Sequence, residues 1–194
     1  MENDRIYGFM LSEQELIDGC RKGERSYQKA LYESYCRKMT VVCLRYSKTT
    51  AEAEDILQEG FVKVFQGIKN FRQESKLETW ITRIMVNTAL NLQRKKLYLF
   101  PMVDVEELDL PEDEVSISSI HFTQLLEMIQ SLPQGCQMVF NMFAIEGYNH
   151  KEIANLLGIS EGTSKSQYAR ARSLLQQKLL KESSYYAKYG EAKV

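Results

Sequence analysis

Four cysteines, two histidines and three prolines in 194 residues leave little scope for metal or disulfide chemistry. No two cysteines form a CxxC pair and neither histidine is near a cysteine in the sequence. We therefore expect buried, reduced thiols rather than a zinc site or a disulfide framework. No apolar run approaches the length that crosses a bilayer, and the acidic N-terminus lacks a signal-peptide pattern. These absences predict a cytoplasmic protein with no metal ion, no cofactor and no membrane insertion.

The chain also lacks the short motifs that mark common enzymes. There is no phosphate-cradling GxxxxGK, no dinucleotide-binding GxGxxG, and neither GxSxG nor HExxH. Acids are concentrated between residues 104 and 114, where they are expected to be solvated rather than paired for proton transfer. We predict that the protein is not an enzyme.

A net charge of −1 hides a segregation of charge along the chain. Residues 21–96 carry sixteen cations and eight anions (+8), and residues 121–194 carry eight cations and six anions (+2). Residues 97–120 carry seven anions and no cation, and residues 1–20 carry a net −4. Charge blocks of this kind indicate two domains that face a polyanion and a spacer with another role.

Hydrophobic periodicity predicts an all-α fold of two small helical domains joined by a flexible acidic linker, the second domain a helix-turn-helix. No β-hairpin signal is present. We predict helices beginning at a Ser12–Glu15 capping box and at a Ser75–Glu78 capping box. The predicted boundaries are an N-terminal extension at 1–21, a first domain at 22–97, a linker at 98–119, a second domain at 120–182 and a tail at 183–194.

The helix-turn-helix is predicted from the stretch Asn149 to Arg172. Asn149 can cap a short amphipathic helix with Glu152 as its capping-box partner, Gly158 suits the left-handed exit, and Ser160 can cap the next helix. An ordinary helical hairpin is the alternative. The second helix carries hydroxyl, amide and cationic groups of the kind that bond phosphates and base edges, namely Thr163, Lys165, Ser166, Gln167, Arg170 and Arg172.

Aromatic residues alternate with cations at the end of the first domain, as expected of a surface that binds single-stranded nucleic acid. These residues are Phe71, Arg72, Lys76, Trp80 and Arg83, with Asn87 able to bond an unpaired base. Trp80 is equally compatible with a place in the core. Arg94, Lys95 and Lys96 end the helix either as duplex-phosphate ligands or as a solvated terminus.

On the helix predicted between Ala51 and Gly67, the apolar stripe leaves a second face that should point outward. That face carries carboxylate, amide and aliphatic side chains, namely Asp55, Gln58, Glu59 and Val62.

Three motifs together resemble the bacterial RNA polymerase sigma factors. They are AEDILQEGFVKVFQGI, then NFRQESKLETWITRIMVNTALNLQRKK, then LPQGCQMVFNMFAIEGYNHKEIANLLGISEGTSKSQYARAR. A chain of two domains resembles the extracytoplasmic-function (ECF) group of that family. The resemblance implies a protein that binds core polymerase and directs promoter-specific initiation.

The resemblance also implies roles for the surfaces described above. The face from Asp55 to Val62 would dock on the coiled coil of the largest polymerase subunit. The segment from Phe71 to Asn87 would melt the promoter's −10 element and hold an everted base. The second helix of the helix-turn-helix would read the −35 element as duplex. An anti-sigma factor is implied as a further partner.

Some residues depart from the family pattern. Ser164 and Gln167 stand where valine and arginine are common, so the −35 preference cannot be copied from relatives; glutamine at a reading position favours adenine. Leu77 and Asn91 replace a common phenylalanine and aspartate. The acidic linker would lie toward the active-site cleft, where it acts either as an RNA mimic or as a solvated spacer.

Two other functional classes compete with the sigma-factor interpretation. One is a free-standing helix-turn-helix regulator whose N-terminal helices bind an effector or form a dimer. Another is a helical adaptor without a DNA role, against which the basic helix ends argue. A free-standing regulator would bind duplex DNA tightly by itself and would not need the face from Asp55 to Glu59.

Overall fold

The computed structural model describes residues 11–97 and 122–189, without the side chains of residues 94–97, 122 and 182–189. Every regular element within those ranges is helical, which confirms the all-α prediction. The chain divides into two units, of which the first ends at Leu92 and the second begins at Gln93. The predicted linker at 98–119 lies outside the described residues, so its proposed roles stay predictions.

The first unit contains α1 (Glu13–Arg21), α2 (Arg25–Tyr46), α3 (Thr50–Gly67), a 3₁₀ turn (Ile68–Asn70) and most of α4 (Leu77–Leu97). The Ser12–Glu15 capping box at the start of α1 is present, with the Ser12 hydroxyl accepting from the Glu15 amide and the Glu15 carboxylate accepting from the Ser12 amide. At the start of α3, the Thr49 hydroxyl accepts from the Glu52 amide and so caps the helix.

The core of the first unit forms where α1, α2 and α3 pack together. In α2 the apolar face is buried at Leu31, Val42 and Tyr46, whereas Tyr27 and Tyr35 are half-buried. In α3 the apolar stripe is buried at Leu57, Phe61 and Val64, with Ala53 and Ile56 beside it, and it continues to buried Ile68 in the 3₁₀ turn. Leu16, Ile17 and Cys20 of α1 are also buried, so the unit begins within the segment predicted as an N-terminal extension.

The start of α4 differs from the prediction. The Ser75 hydroxyl approaches the Lys76 carbonyl rather than capping the helix, and the Glu78 carboxylate pairs with Lys38 of α2 at 2.8 Å. The first amide of α4, that of Leu77, instead donates to the Glu13 carboxylate of α1 at 3.3 Å. A side chain from a distant helix therefore replaces the local capping box.

The second unit contains α5 (Phe122–Gln130), α6 (Gln134–Phe140), a π-helical turn (Asn141–Ile145), α7 (His150–Leu157) and α8 (Glu161–Tyr189). Helices α5, α6 and α7 each pack on α8. The core of this unit is a cluster contributed by α5, α6 and α8 together with Leu132, the residue before Pro133: Met128, Leu132, Cys136, Ala171 and Leu175. The unit contains the predicted helix-turn-helix as α7 and α8.

Helix α8 runs to Tyr189 and so extends into the segment 183–194 that was predicted as a tail. The part of that segment before Gly190 is polar but contains no glycine or proline, and polarity alone does not end a helix. No described helix is long and apolar enough to span a membrane.

Candidate nucleic-acid interface

One face of α3 is exposed, as predicted. Asp55, Gln58 and Glu59 are exposed and Val62 is 53% exposed, because the opposite face of the helix is in the core. An exposed valine between acidic and amide side chains provides an apolar contact point within a polar surface, a combination that suits a protein partner.

Glu59 on this face is already engaged within the unit. Its carboxylate lies 2.6 Å from the Lys63 ammonium, which also donates to the hydroxyl of buried Thr88 on α4 at 3.2 Å. Lys63 thus connects the exposed face of α3 to the next helix.

Phe71, predicted to stack on a base, is only 4% exposed. Its ring packs against Trp80 with centroids 4.8 Å apart. The prediction for Phe71 is therefore corrected: the side chain belongs to the core and supports Trp80 from below. Trp80 itself is half-buried, which leaves part of its indole accessible for stacking.

The buried face of α4 carries Leu77, Ile81, Met85 and Thr88, which are all fully buried. This register places Arg83 and Asn87 on the exposed side, with Trp80 at its edge. Lys76 precedes the helix and is exposed, as is Arg72, whose side chain is 83% exposed. The structure thus leaves four polar or cationic groups and one aromatic edge accessible in the predicted single-strand surface. The side chains of Arg94, Lys95 and Lys96 lie outside the described residues.

Each predicted cap of the helix-turn-helix is present. The Asn149 side chain accepts from the Glu152 amide at 2.9 Å, and Glu152 accepts from the Asn149 amide at 2.8 Å. Gly158 has φ +70°, the left-handed conformation predicted for the helix exit. The Ser160 hydroxyl accepts from the Thr163 amide at 2.9 Å and so caps α8.

Gln167, predicted to contact the −35 duplex, faces the interior. It is 4% exposed, and its Oε1 accepts from the Cys136 thiol of α6 at 3.0 Å. A base cannot reach this amide while α6 and α8 remain packed, so the prediction for Gln167 is corrected. Ser164, the other departure from the family pattern, is fully buried and bonds His150.

Sequence spacing contains a signal for this burial. Gln167 is four positions before the core residue Ala171, which is itself four positions before Leu175, and Ser164 is three positions before Gln167. Residues at this spacing share one face of a helix, so all four lie on the buried face of α8. The polarity of glutamine and serine obscures that periodicity.

The other predicted residues of α8 remain accessible. Lys165 and Arg172 are exposed, while Thr163, Ser166 and Arg170 are half-exposed. Lys165 pairs with Glu161 one turn earlier at 2.9 Å, and the hydrogen bond from Lys165 lowers the pKa of Glu161. This ion pair is exposed, and the side chain of Lys165 can leave it at small cost.

His150 was not predicted as a structural residue. Its imidazole stacks on Phe143 with centroids 4.3 Å apart, and its Nδ1 lies 3.0 Å from the Ser164 hydroxyl. Burial, and then the charge of Lys165, lower the pKa of His150. This contact joins the first residue of α7 to α8 and helps to fix the turn between the two helices.

All four cysteines lie within the described residues, and none of them is in a disulfide. Burial raises the pKa of Cys20 to about 11 and that of Cys43 to about 12, so neither thiol is a nucleophile at neutral pH. Cys36 is half-buried, in contrast to the expectation that all four are buried. Among the side chains that the structure describes, no three His, Cys, Asp or Glu residues converge on a metal-sized site.

Two protein-family models match the chain. The model of sigma-70 region 2 matches residues 31–97, and the model of sigma-70 region 4 matches residues 122–175. The chain belongs to the sigma-70 family, in its ECF group. The first match covers most of α2 with α3 and α4, and the second covers α5 to the middle of α8. The three candidate surfaces of this sigma factor, on α3, on α4 and on α8, therefore lie inside the matched regions, whereas α1 lies outside them.

Similarity extends over nearly the full length of related proteins. The sigma factor is 27% identical over 183 residues to the ECF RNA polymerase sigma-E factor of Haemophilus influenzae, covering 87% of this chain and 96% of that one. It is 27% identical over 188 residues to the RNA polymerase sigma-H factor of Pseudomonas aeruginosa, covering 88% and 97%. The fold is also similar to that of the sigma factor RpoE in a complex with the anti-sigma factor NepR from Bartonella quintana, with a TM-score of 0.50 at 22% identity over 79% of this chain and 96% of that one.

Proposed function

We propose that this sigma factor binds RNA polymerase core through α3 and reads promoter DNA with α4 and α8. The observation that carries the proposal is that the family models of sigma-70 regions 2 and 4 match residues of the first and the second unit, respectively. The exposed faces of these units differ in chemistry, as expected of surfaces that bind different partners. The protein is proposed to act in the cytoplasm as a non-enzymatic subunit. The boundaries proposed for its two functional domains are 22–97 and 120–182.

The face of Asp55, Gln58, Glu59 and Val62 is proposed to contact the coiled coil of the largest polymerase subunit. Its exposure and its mixed acidic and apolar character support this assignment. A docking partner would need to draw Glu59 away from Lys63 or accept both groups together. Loss of the Glu59–Lys63 ion pair would cost little free energy, because exposed i,i+4 ion pairs contribute only about 0.3–0.5 kcal/mol to stability.

The accessible side of α4 is proposed to hold the non-template strand of the −10 element. Trp80 presents an edge for stacking, Arg72, Lys76 and Arg83 can track phosphates, and Asn87 can bond an unpaired base. Unstacking a base costs a few kcal/mol, and stacking on an aromatic side chain returns about 1–3 kcal/mol per base. Contacts between the cationic side chains and the phosphates would supply the rest of the free energy needed to hold the base unstacked.

The start of α8 is proposed to lie in the major groove of the −35 element. Lys165, Ser166 and Arg170 are the side chains placed to reach bases or phosphates, with Thr163 and Arg172 beside them. Ser164 and Gln167 hold this helix to the rest of its unit. An anti-sigma factor is proposed as a regulatory partner, as in the complex of RpoE with NepR.

The proposal is tested by capture of core polymerase followed by run-off transcription. Glu59→Arg should reduce both, and Asp55→Arg should add to the loss. Glu33→Arg is a matched control, because Glu33 also forms an exposed i,i+4 pair, with Lys29, but lies on α2. Duplex binding by the free protein with no capture of core would instead identify a free-standing regulator. Equal activity of Glu59→Arg and Glu33→Arg would exclude the proposed docking face.

A further inference from the structure

Helix α1 lies outside the matched family regions yet is built into the first unit. Leu16, Ile17 and Cys20 are buried, and Gly19 lies directly against the ring of Tyr27 on α2. This packing leaves the polar side of α1 beside the segment Ile68–Leu77, which precedes and starts α4.

Arg21, the last residue of α1, binds two backbone carbonyls of that segment. Its guanidinium donates to the Phe71 carbonyl at 2.6 Å and to the Ile68 carbonyl at 3.4 Å. Asp18 holds the guanidinium from the other side at 3.5 Å. A planar guanidinium can direct separate N–H groups at both carbonyls, an arrangement that the single ammonium of lysine does not reproduce.

Two further contacts reach the middle and the end of the same segment. The side-chain Nε2 of Gln73 donates to Oε1 of Gln14 at 2.8 Å, and the backbone of Gln73 has φ +57°. Left-handed backbone is unfavourable for a residue with a side chain, so this conformation depends on contacts that hold it. The Leu77 amide donates to Glu13 at 3.3 Å, which sets where α4 begins.

We infer that α1 positions the strand-binding surface: Arg21, Gln14 and Glu13 hold the segment Ile68–Leu77 in the shape that presents Trp80, Arg83 and Asn87. This inference rests on the proposed function of that surface. The three contacts are made at the start, the middle and the end of one segment. A segment ordered before DNA arrives loses less conformational entropy on binding than one that must be ordered by the DNA.

Arg21→Lys is the principal test, because it keeps the charge and removes the two-carbonyl geometry. Holoenzyme containing this variant should bind a fork-junction promoter, with the −10 non-template strand unpaired, about tenfold more weakly. An abasic version of the same strand should be bound with nearly unchanged affinity. A general loss of protein stability would instead weaken binding to both DNAs equally and leave the ratio of the two affinities unaltered.

Arg25→Lys provides the matched control, since Arg25 is an exposed arginine at the start of α2. Capture of core polymerase should be the same for both variants and the unaltered protein. Glu13→Ala should weaken binding to the unpaired −10 strand, as Arg21→Lys does. Glu13→Gln keeps an acceptor oxygen for the Leu77 amide and should restore that binding. Gln14→Ala changes an exposed contact and so tests the same idea without risk to folding.

The outcomes separate the inference from the proposed function. If Trp80→Ala and Arg83→Ala reduce binding to the unpaired strand while Arg21→Lys and Gln14→Ala leave the cognate-to-abasic ratio unchanged, the role of α1 is refuted alone. If Trp80→Ala and Arg83→Ala also have no effect, the proposed strand-binding surface is wrong.

Discussion

The Oε1 atom of Gln167 on α8 lies 3.0 Å from the Sγ atom of Cys136 on α6, and both side chains are buried. This contact places the glutamine on the side of α8 that packs on α6 rather than on the side proposed to face DNA. Gln167 shares this buried face of α8 with Ser164 and Ala171, whereas Lys165 and Ser166, between Ser164 and Gln167 in the sequence, are on the accessible side.

We predict that Gln167→Met lowers the free energy of unfolding by about 1 kcal/mol, because the hydrogen bond between the Cys136 thiol and Gln167 is lost. The base preference of the holoenzyme across a set of −35 variants should stay the same. Ser166→Ala is the comparison, since Ser166 is accessible and its substitution should alter DNA affinity without a similar loss of stability. A changed −35 preference in Gln167→Met would contradict the assignment of Gln167.

Two glycines four residues apart should respond to alanine with opposite signs. Gly158→Ala should destabilise the second unit by about 1–2 kcal/mol, because an L-residue is strained at φ +70°. Gly162→Ala should stabilise it by roughly 0.5–1 kcal/mol, since Gly162 is inside α8 and an added Cβ would be at an ordinary 3.6 Å from the Ser160 hydroxyl. Urea unfolding followed by far-UV circular dichroism measures both. A stabilising Gly158→Ala would contradict the left-handed exit.

The docking of α1 on α2 should depend on the absence of a side chain at Gly19. A Cβ there would lie 2.1 Å from Cγ of Tyr27, so Gly19→Ala should lower the free energy of unfolding by about 1–3 kcal/mol. In a Tyr27→Ala background the same change should become neutral or stabilising, because alanine favours a helix over glycine by about 1 kcal/mol. Fluorescence of Trp80, the one tryptophan of the chain, reports the unfolding of this unit. Additive effects of the two substitutions would contradict the close approach.

His150 should titrate below the ordinary value of 6.5, because burial and the Lys165 charge both disfavour its protonated form. In His121→Gln protein the imidazole of His150 is the only one left, so its pKa can be read directly from NMR shifts. Lys165→Met should raise that pKa, and Glu161→Gln should lower it further. A value at or above 6.5 in the His121→Gln protein would show that the imidazole is more exposed than the structure has it.

The same shift predicts a pH dependence of stability. The unfolded chain takes up a proton on His150 at a higher pH than the folded chain does. The stabilisation that neutral His150 provides is therefore complete above about pH 6.5 and is lost as the pH falls through the lowered folded-state pKa. His150→Gln should remove this part of the pH dependence. An equal loss of stability toward low pH in both proteins would contradict it.

Local signals in the sequence predicted a large part of this fold. The caps at Ser12, Asn149 and Ser160 and the exit at Gly158 are all present, because each depends on atoms within four residues of one another. The exposed face of α3 was predicted for a similar reason, since an apolar stripe at helical spacing determines what lies opposite. The two-domain architecture and the sigma-70 motifs follow from the same periodic and local patterns.

Tertiary structure decided the points at which distant segments meet. Leu77 is capped by Glu13, which is 64 positions earlier, and so the local Ser75–Glu78 signal does not start α4. Phe71 is buried because it lies beneath Trp80, and Gln167 is buried because α6 supplies a thiol at that height of α8. Polarity and aromaticity in the sequence describe what a side chain is able to bind. Only the packing of one helix on another determines whether that side chain meets solvent, DNA or the interior.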